Sequence, residues 1–291
     1  MRELRIEAAH IELAAFSSAP ISEFNPQEPV IIALHGWLDN ALSLTPLLTE
    51  LESQSRQEQI TQQWLALDLP GHGHSEHRPV GVYYYFSEWA MDIAKLIHEQ
   101  GWQNVVLVGH SMGGFIAQLV AVVIPDLIKS VFLIEALGLL TYAEDETALK
   151  LREAFLSRRA LEDKSAPQYD DAERLVNARA AHNSIAAVLI KPVVMRNLAC
   201  KDGVWQWRID PRLRLGSPFR YSIGQVNDLM ASIQCPLALI RGTSGFKDLD
   251  KALERWGERV SVLWVEGGHH VHLEQPKQVA EHLNAFLGRP I

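Results

Sequence analysis

The stretch that decides the fold is Val105-Val106-Leu107-Val108-Gly109-His110-Ser111-Met112-Gly113-Gly114. Its apolar opening, rich in β-branched valine, reads as a short strand buried on both faces. The small residues beyond Ser111 (Gly114, Ala117 and Ala121, stopped by Pro125) read as a helix. Between them stands G-x-S-x-G, the pattern that seats a serine on a tight strand-to-helix turn. The spacing has a physical cause. The serine is held in a strained backbone conformation, and glycines two residues either side let neighbouring backbone approach without a Cβ clash. The hydroxyl is then pushed clear of the turn, and the Met112 amide points to where an oxyanion would form.

Similar apolar runs recur at Val30–Leu34, Trp64–Leu67, Val131–Ile134, Leu237–Ile240 and Val260–Val265. A period-2 hairpin over residues 2–16, with Leu4, Ile6 and Ala8 on one face, precedes them. Helical patterns fall between: Asp39–Leu51, Phe86–Gln100, Met112–Ile124, Leu249–Trp256 and Pro276–Leu287. This alternation predicts an α/β fold, a mostly parallel, doubly wound sheet with helices on both faces. Roughly 90 residues between Ala136 and Asp228 break the rhythm, too many for a structureless loop. They show helical patterning and no obvious buried strand. We therefore expect a helical cap over residues 138–227, inserted between core segments 1–137 and 228–291.

A chain of 291 residues can bury a substantial core. Its net charge of -8 argues against a nucleic-acid partner, which a basic face would mark. The one basic cluster, Arg208, Arg212, Arg214 and Arg220, reads as solvated surface or local ion pairs. No apolar run approaches the roughly 18 residues of a membrane span, and the first residues lack an apolar leader core. Two cysteines, Cys200 and Cys235, suit a reducing compartment. The expectation is a cytoplasmic monomer or homodimer acting on a small molecule, with no membrane or nucleic-acid partner.

A serine hydroxyl is a poor nucleophile until a base takes its proton and a third group orients that base. Among twelve histidines, His269 fits best: it follows the last predicted strand, at the sheet edge where open α/β folds collect ligands. Its neighbours His270 and His272 read as local loop residues. An oxyanion needs two preorganised donors. Met112 supplies one amide, and Trp37, in the loop His35-Gly36-Trp37, supplies the other. His35, Gly36 and His110 are expected beside the substrate.

Taken in order, His35-Gly36, Asp68-Leu69-Pro70-Gly71-His72-Gly73-His74-Ser75, Gly109-His110-Ser111-Met112-Gly113-Gly114 and Gly268-His269 resemble the α/β-hydrolase superfamily. Within it, the chain is most similar to cap-bearing serine esterases of the serine hydrolase-like group. The resemblance runs from about residue 28 to the C-terminus, loosely through the cap by way of Arg208-Ile209-Asp210-Pro211-Arg212-Leu213. It implies that His269 is the base, that Trp37 and Met112 form the oxyanion hole, and that the Asp68–Ser75 loop is structural. It implies a serine hydrolase cleaving a carboxylic ester or thioester of a small or medium acyl group through an acyl-serine, without a cofactor. A C–C bond hydrolase would use the same groups.

The acid departs from the family's pattern. Where Gly-x-x-Asp is usual, this chain has Gly242-Thr243-Ser244-Gly245. That gap suggests either a non-catalytic ligand-binding homologue or an acid placed elsewhere. Glu135, directly after the run Val131–Ile134, is favoured, because a carboxylate there is costly to bury without a partner. Asp248 is the alternative, and reads as a helix N-cap. Finally, His72-Gly73-His74-Ser75-Glu76-His77 looks like the H-x-H-x-D-H cluster of binuclear zinc hydrolases. It lies inside the glycine loop, and no metal is expected.

Overall fold

The computed structural model describes residues 1–288 apart from Ala9, Glu58, Gln59 and Asp163. Strands β1 (Arg2–Ala8) and β2 (Ile11–Ser17) form the hairpin. They lead into β3 (Val30–Leu34), α1 (Thr45–Gln57), β4 (Gln63–Leu67), α2 (Phe86–Gln100), β5 (Val105–His110), α3 (Met112–Val123) and β6 (Ile128–Ile134). An insertion carries α4 (Thr147–Glu162), α5 (Ala172–Asn183), α6 (Ala187–Arg196), β7 (Leu198–Lys201) and β8 (Val204–Trp207). The chain then returns through α7 (Ile223–Ser232), β9 (Leu237–Gly242), α8 (Leu249–Trp256), β10 (Ser261–Val265), α9 (Val271–Glu274) and α10 (Pro276–Phe286).

Eight strands form one sheet in the order β1-β2-β4-β3-β5-β6-β9-β10, antiparallel at β1/β2 and β2/β4 and parallel from β4 onward. Side chains alternate across it with period 2. Val30, Ile32, Leu34, Val105, Leu107, Val131 and Leu133 face a core shared with α2, α3 and α7. Ile31, Ala33, Val106, Val108, Phe132 and Ile134 face a second core against α1 and α10. Both faces are thus covered, which is why the strands read as continuous apolar runs rather than alternating ones. No helix among the described residues is long and apolar enough to cross a membrane.

Helix α1 starts later than the sequence pattern suggests. Asn40 accepts a hydrogen bond from the Leu42 amide and caps a separate 3-10 turn, Ala41–Ser43. Pro46, which has no amide hydrogen, fits only the first turn of the helix that follows.

The insertion has a small core of its own, built on Leu175, Val176, Ile190, Val193, Val194 and Leu198 and touching Leu273. It is not wholly helical. Strands β7 and β8 pair as a hairpin across Asp202-Gly203, both at positive φ (52° and 79°), the geometry that Asp-Gly turns adopt between strands. Residue 227, expected as the insertion's end, falls inside α7, whose Val226 and Met230 lie in the main core. Polar contacts fasten the insertion down. Arg196 forms a buried ion pair with Asp68 at 2.8 Å, and Asn197 donates to the Leu38 carbonyl at 3.0 Å.

Candidate active site

The strand order assembles the site. Because β3 and β6 flank β5, the loops leaving their carboxyl ends arrive on either side of Ser111. The loop after β3 carries Trp37, the end of β6 carries Glu135, and the loops after β9 and β10 carry Phe246 and His269.

Ser111 has φ 48° and ψ -115°, a conformation that costs a non-glycine residue about 1–3 kcal/mol. Its amide extends the β6 ladder, donating to the Ile134 carbonyl at 2.9 Å. The flanking glycines are sterically required. A Cβ on Gly113 would stand 2.0 Å from the Leu34 carbonyl oxygen, and one on Gly109 2.5 Å from that of Gly113. The Met112 and Trp37 amides have no acceptor among the described residues. Two residues that line the cleft with the serine thus carry unengaged N–H donors. The Trp37 loop is clamped from the insertion: Trp37 Nε1 donates to the Leu213 carbonyl at 3.0 Å, and Arg179 donates to the Trp37 carbonyl at 3.2 Å.

His269 Nδ1 lies 3.4 Å from Glu135 Oε2. The Glu135 carboxylate is buried and accepts from the Phe246 amide at 2.6 Å, the Gly242 amide at 2.7 Å and Arg241 Nη1 at 3.2 Å. Burial pushes its pKa up. The hydrogen bonds from His269, Phe246 and Gly242 and the Arg241 charge outweigh that and hold it below the ordinary 4.5, so the group is a carboxylate at neutral pH. A Cβ on Gly245 would stand 2.3 Å from both carboxylate oxygens. The glycine that replaces the expected aspartate thus vacates the space Glu135 fills. Asp248 is elsewhere: its side chain is exposed, pairs with Lys251 at 3.4 Å and makes no capping hydrogen bond to α8.

His269 is tied to the elbow by its backbone. His110 Nε2 donates to the His269 carbonyl at 2.9 Å, with ring centroids 4.9 Å apart. No hydrogen bond joins Ser111 Oγ to His269 in this structure. Resting-state contacts of this kind commonly tighten only once substrate is bound.

His35, Gly36 and His110 lie behind the serine rather than in the cleft before it. His35 is fully buried and accepts from the Leu69 amide at 3.0 Å. Gly36 leaves room for the His110 ring, since a Cβ there would stand 2.7 Å from Nδ1. Burial, then the neighbouring His272, His269 and His270, hold the His110 pKa well below 6.5, so it is neutral with its proton on Nε2.

Asp39, His110 and His270 bring one ligand atom each within 4.8 Å of one another, all buried, and are the grouping among the described residues with metal-ligand chemistry. Asp39 already holds His270 at 3.2 Å and Arg179 at 2.9 Å, and the guanidinium repels a second cation. The four residues of the zinc-like motif diverge. His72 is buried against His35, His74 faces Glu3, Glu76 accepts from the Glu12 amide, and His77 contacts the Arg208 carbonyl. Asp68 holds that loop together by accepting from the Ala41 and His74 amides at 2.8 Å.

In front of Ser111 opens a cleft of about 510 Å³, with Met112 and Phe115 at its base and Trp37, Trp89 and Tyr221 among its walls. The fold and this edge are those of a known group: the alpha/beta hydrolase family model matches residues 31–282. The chain belongs to the alpha/beta hydrolase family. A probable serine hydrolase of Drosophila melanogaster is 30% identical over 274 residues, spanning 88% of this chain and 80% of that one. An esterase of Mycobacterium tuberculosis is 27% identical over 266 residues, 89% of this chain and 83% of its own. A hypothetical protein of Pseudomonas aeruginosa PAO1, of known structure, superimposes with TM-score 0.87 at 34% identity, covering 99% of both chains.

Four features of this hydrolase site escaped the sequence reading: Arg241, the Phe246 and Gly242 amides, the Asp39–Arg179 pair, and the arginines facing the cleft. Arg241 had a legible signal. It is a charged residue closing the apolar run Leu237–Ile240, and the burial argument that singled out Glu135 applies to it equally.

Proposed function

We propose that this alpha/beta hydrolase cleaves a carboxylic ester or thioester of a small or medium acyl group through an acyl-serine intermediate. Ser111 Oγ attacks the carbonyl carbon while His269 Nε2 takes its proton. The negative charge passes to the carbonyl oxygen, which accepts from the Trp37 and Met112 amides. Glu135 holds the imidazole with its Nδ1 proton facing the carboxylate and stabilises the imidazolium. Collapse of the tetrahedral species expels the alcohol or thiol, which takes the proton from Nε2. Water repeats the sequence on the acyl-serine and releases the acid.

The observation that carries this reading is the Glu135 carboxylate against His269 Nδ1, in space left by Gly245. The alternative of a non-catalytic homologue drew on the missing acid at 245, and Glu135 supplies an acid at the same imidazole. The unengaged Trp37 and Met112 amides and the names of the relatives support the same chemistry. A fluorophosphonate probe tests it. Labelling should map to Ser111 and vanish in His269→Ala; a folded wild-type protein that takes no label and cleaves no activated ester overturns it.

A further inference from the structure

The cleft before Ser111 has an electrostatic character at odds with the chain as a whole. The protein carries a net charge of -8. Yet Arg212, Arg214 and Arg220 line the cleft, and no aspartate or glutamate among the described residues does. All three belong to the segment 212–221 that leaves the insertion, so one stretch of chain delivers the charge.

The three are not equivalent. Arg212 is spent on structure. It pairs with Asp210 at 2.6 Å and also donates to the carbonyls of Pro79 at 2.6 Å and of Arg78. Arg214 makes no hydrogen bond or ion pair among the described residues. Its side chain is exposed, and what desolvation it meets, then the like charge of Arg179, lower its pKa from the ordinary arginine value against a smaller opposing effect of Tyr169. Arg179 cannot help, because Asp39 already neutralises it at 2.9 Å. Arg220 stacks its guanidinium 4.7 Å above the Tyr142 ring and likewise has no ion pair. Glu144 lines an adjoining pocket with Arg220 but lies beyond ion-pair distance of it.

Two guanidinium groups without a carboxylate partner among the described residues, lining the same aromatic-walled cleft as Ser111, form a recognition surface for an anion attached to an apolar stem. We propose that the natural substrate is an ester or thioester bearing a carboxylate or phosphate, which Arg214 and Arg220 hold at the mouth of the cleft while its apolar part lies on the aromatic walls. The proposal rests on the esterase reading above and names its substrate class. Of the cluster expected to be solvated surface or local ion pairs, Arg212 forms an ion pair, and Arg214 and Arg220 line the cleft.

The test compares substrates matched in length and differing in charge. One arm sets the 4-nitrophenyl monoester of adipic acid against 4-nitrophenyl hexanoate, placing a carboxylate on the acyl side. The other sets hexanoyl-4'-phosphopantetheine against hexanoylpantetheine, placing a phosphate on the leaving side. In at least one arm, kcat/KM should favour the anionic member by about tenfold or more, the size of a charge-assisted contact. Which arm responds identifies carboxylate or phosphate. Arg214→Gln and Arg220→Gln should each bring that ratio toward unity, as should 0.5 M salt, added at about the strength that screens exposed charges. Arg174→Gln, on the exposed face of α5, should leave the ratio in place.

Turnover of both neutral substrates with no anionic preference in either arm overturns the substrate class and leaves the esterase reading standing. So does an anionic preference that persists in the Arg214→Gln, Arg220→Gln double variant. Absence of all turnover together with absence of fluorophosphonate labelling overturns the esterase reading, and the substrate class with it.

Discussion

Replacing Glu135 by glutamine tests the site where it departs from the family's Gly-x-x-Asp pattern. The carboxylate meets donors at both oxygens: His269 Nδ1 and the Phe246 amide at Oε2, the Gly242 amide at Oε1, and Arg241 spanning the two. An amide NH2 placed at Oε2 confronts two donors and turns His269 toward the tautomer that cannot accept the Ser111 proton. The imidazolium of the proposed acylation step also loses its counter-charge. Unit charges 3.4 Å apart at an effective dielectric near 20 attract by about 5 kcal/mol, or between three and four decades of rate. His269 is one-third exposed, so water screens part of this. The expected loss in kcat for Glu135→Gln on 4-nitrophenyl hexanoate is thus about 10³-fold, with KM little changed. Asp248→Asn should stay within about twofold, since its exposed carboxylate touches only Lys251. The variant also leaves Arg241 with a neutral partner, so thermal unfolding must show that it is folded. Less than a tenfold loss in a folded Glu135→Gln protein, or a larger loss in Asp248→Asn, refutes the assignment.

Three further outcomes follow from the packing. Gly245→Ala puts a methyl on the Glu135 carboxylate and should cut kcat by about tenfold or more, and in a Glu135→Ala background the same change should add little, which a double-mutant cycle reads directly. Gly113→Ala drives a Cβ into the Leu34 carbonyl at 2.0 Å, where only backbone can yield; denaturant unfolding should show a loss of about 3 kcal/mol or more, or no folded protein. Burial holds His72, His110 and His272 well below their ordinary 6.5. These depressed pKa values mean that below pH 6.5 the unfolded chain binds protons that the folded one does not, so stability falls as pH falls. Three such groups give a slope of up to about 4 kcal/mol per pH unit, and urea titrations at pH 7.5 and 5.5 should show it; Glu135, depressed from 4.5, adds its own loss only below that value.

Much of the architecture was legible because its causes are local. Strands β3, β5 and β6 lie where continuous apolar runs place them, since both sheet faces are covered by helices. The elbow was legible because part of its glycine requirement is local, a Cβ on Gly109 meeting the Gly113 carbonyl, although Gly113 answers to Leu34 on the neighbouring strand. The hairpin β7–β8 was missed although Asp202-Gly203 marks its turn, because its strands are only four residues long and half exposed.

The sequence by itself determined the strand-turn-helix setting of Ser111, the loop that carries His269, and the need for a partner at Glu135, a charge no apolar strand end retains without one. Only the tertiary structure decided which carboxylate meets His269. Glu135 and Gly245 are 110 residues apart in numbering, and their contact exists because β6 and β9 are sheet neighbours, whose carboxyl-end loops close on one point. Strand neighbours are chosen by the packing of the whole sheet, not by any one strand's residues. The same holds for Arg214 and Arg220: a cluster of arginines reads as surface or ion pairs until the fold brings two of them to the cleft that Ser111 lines.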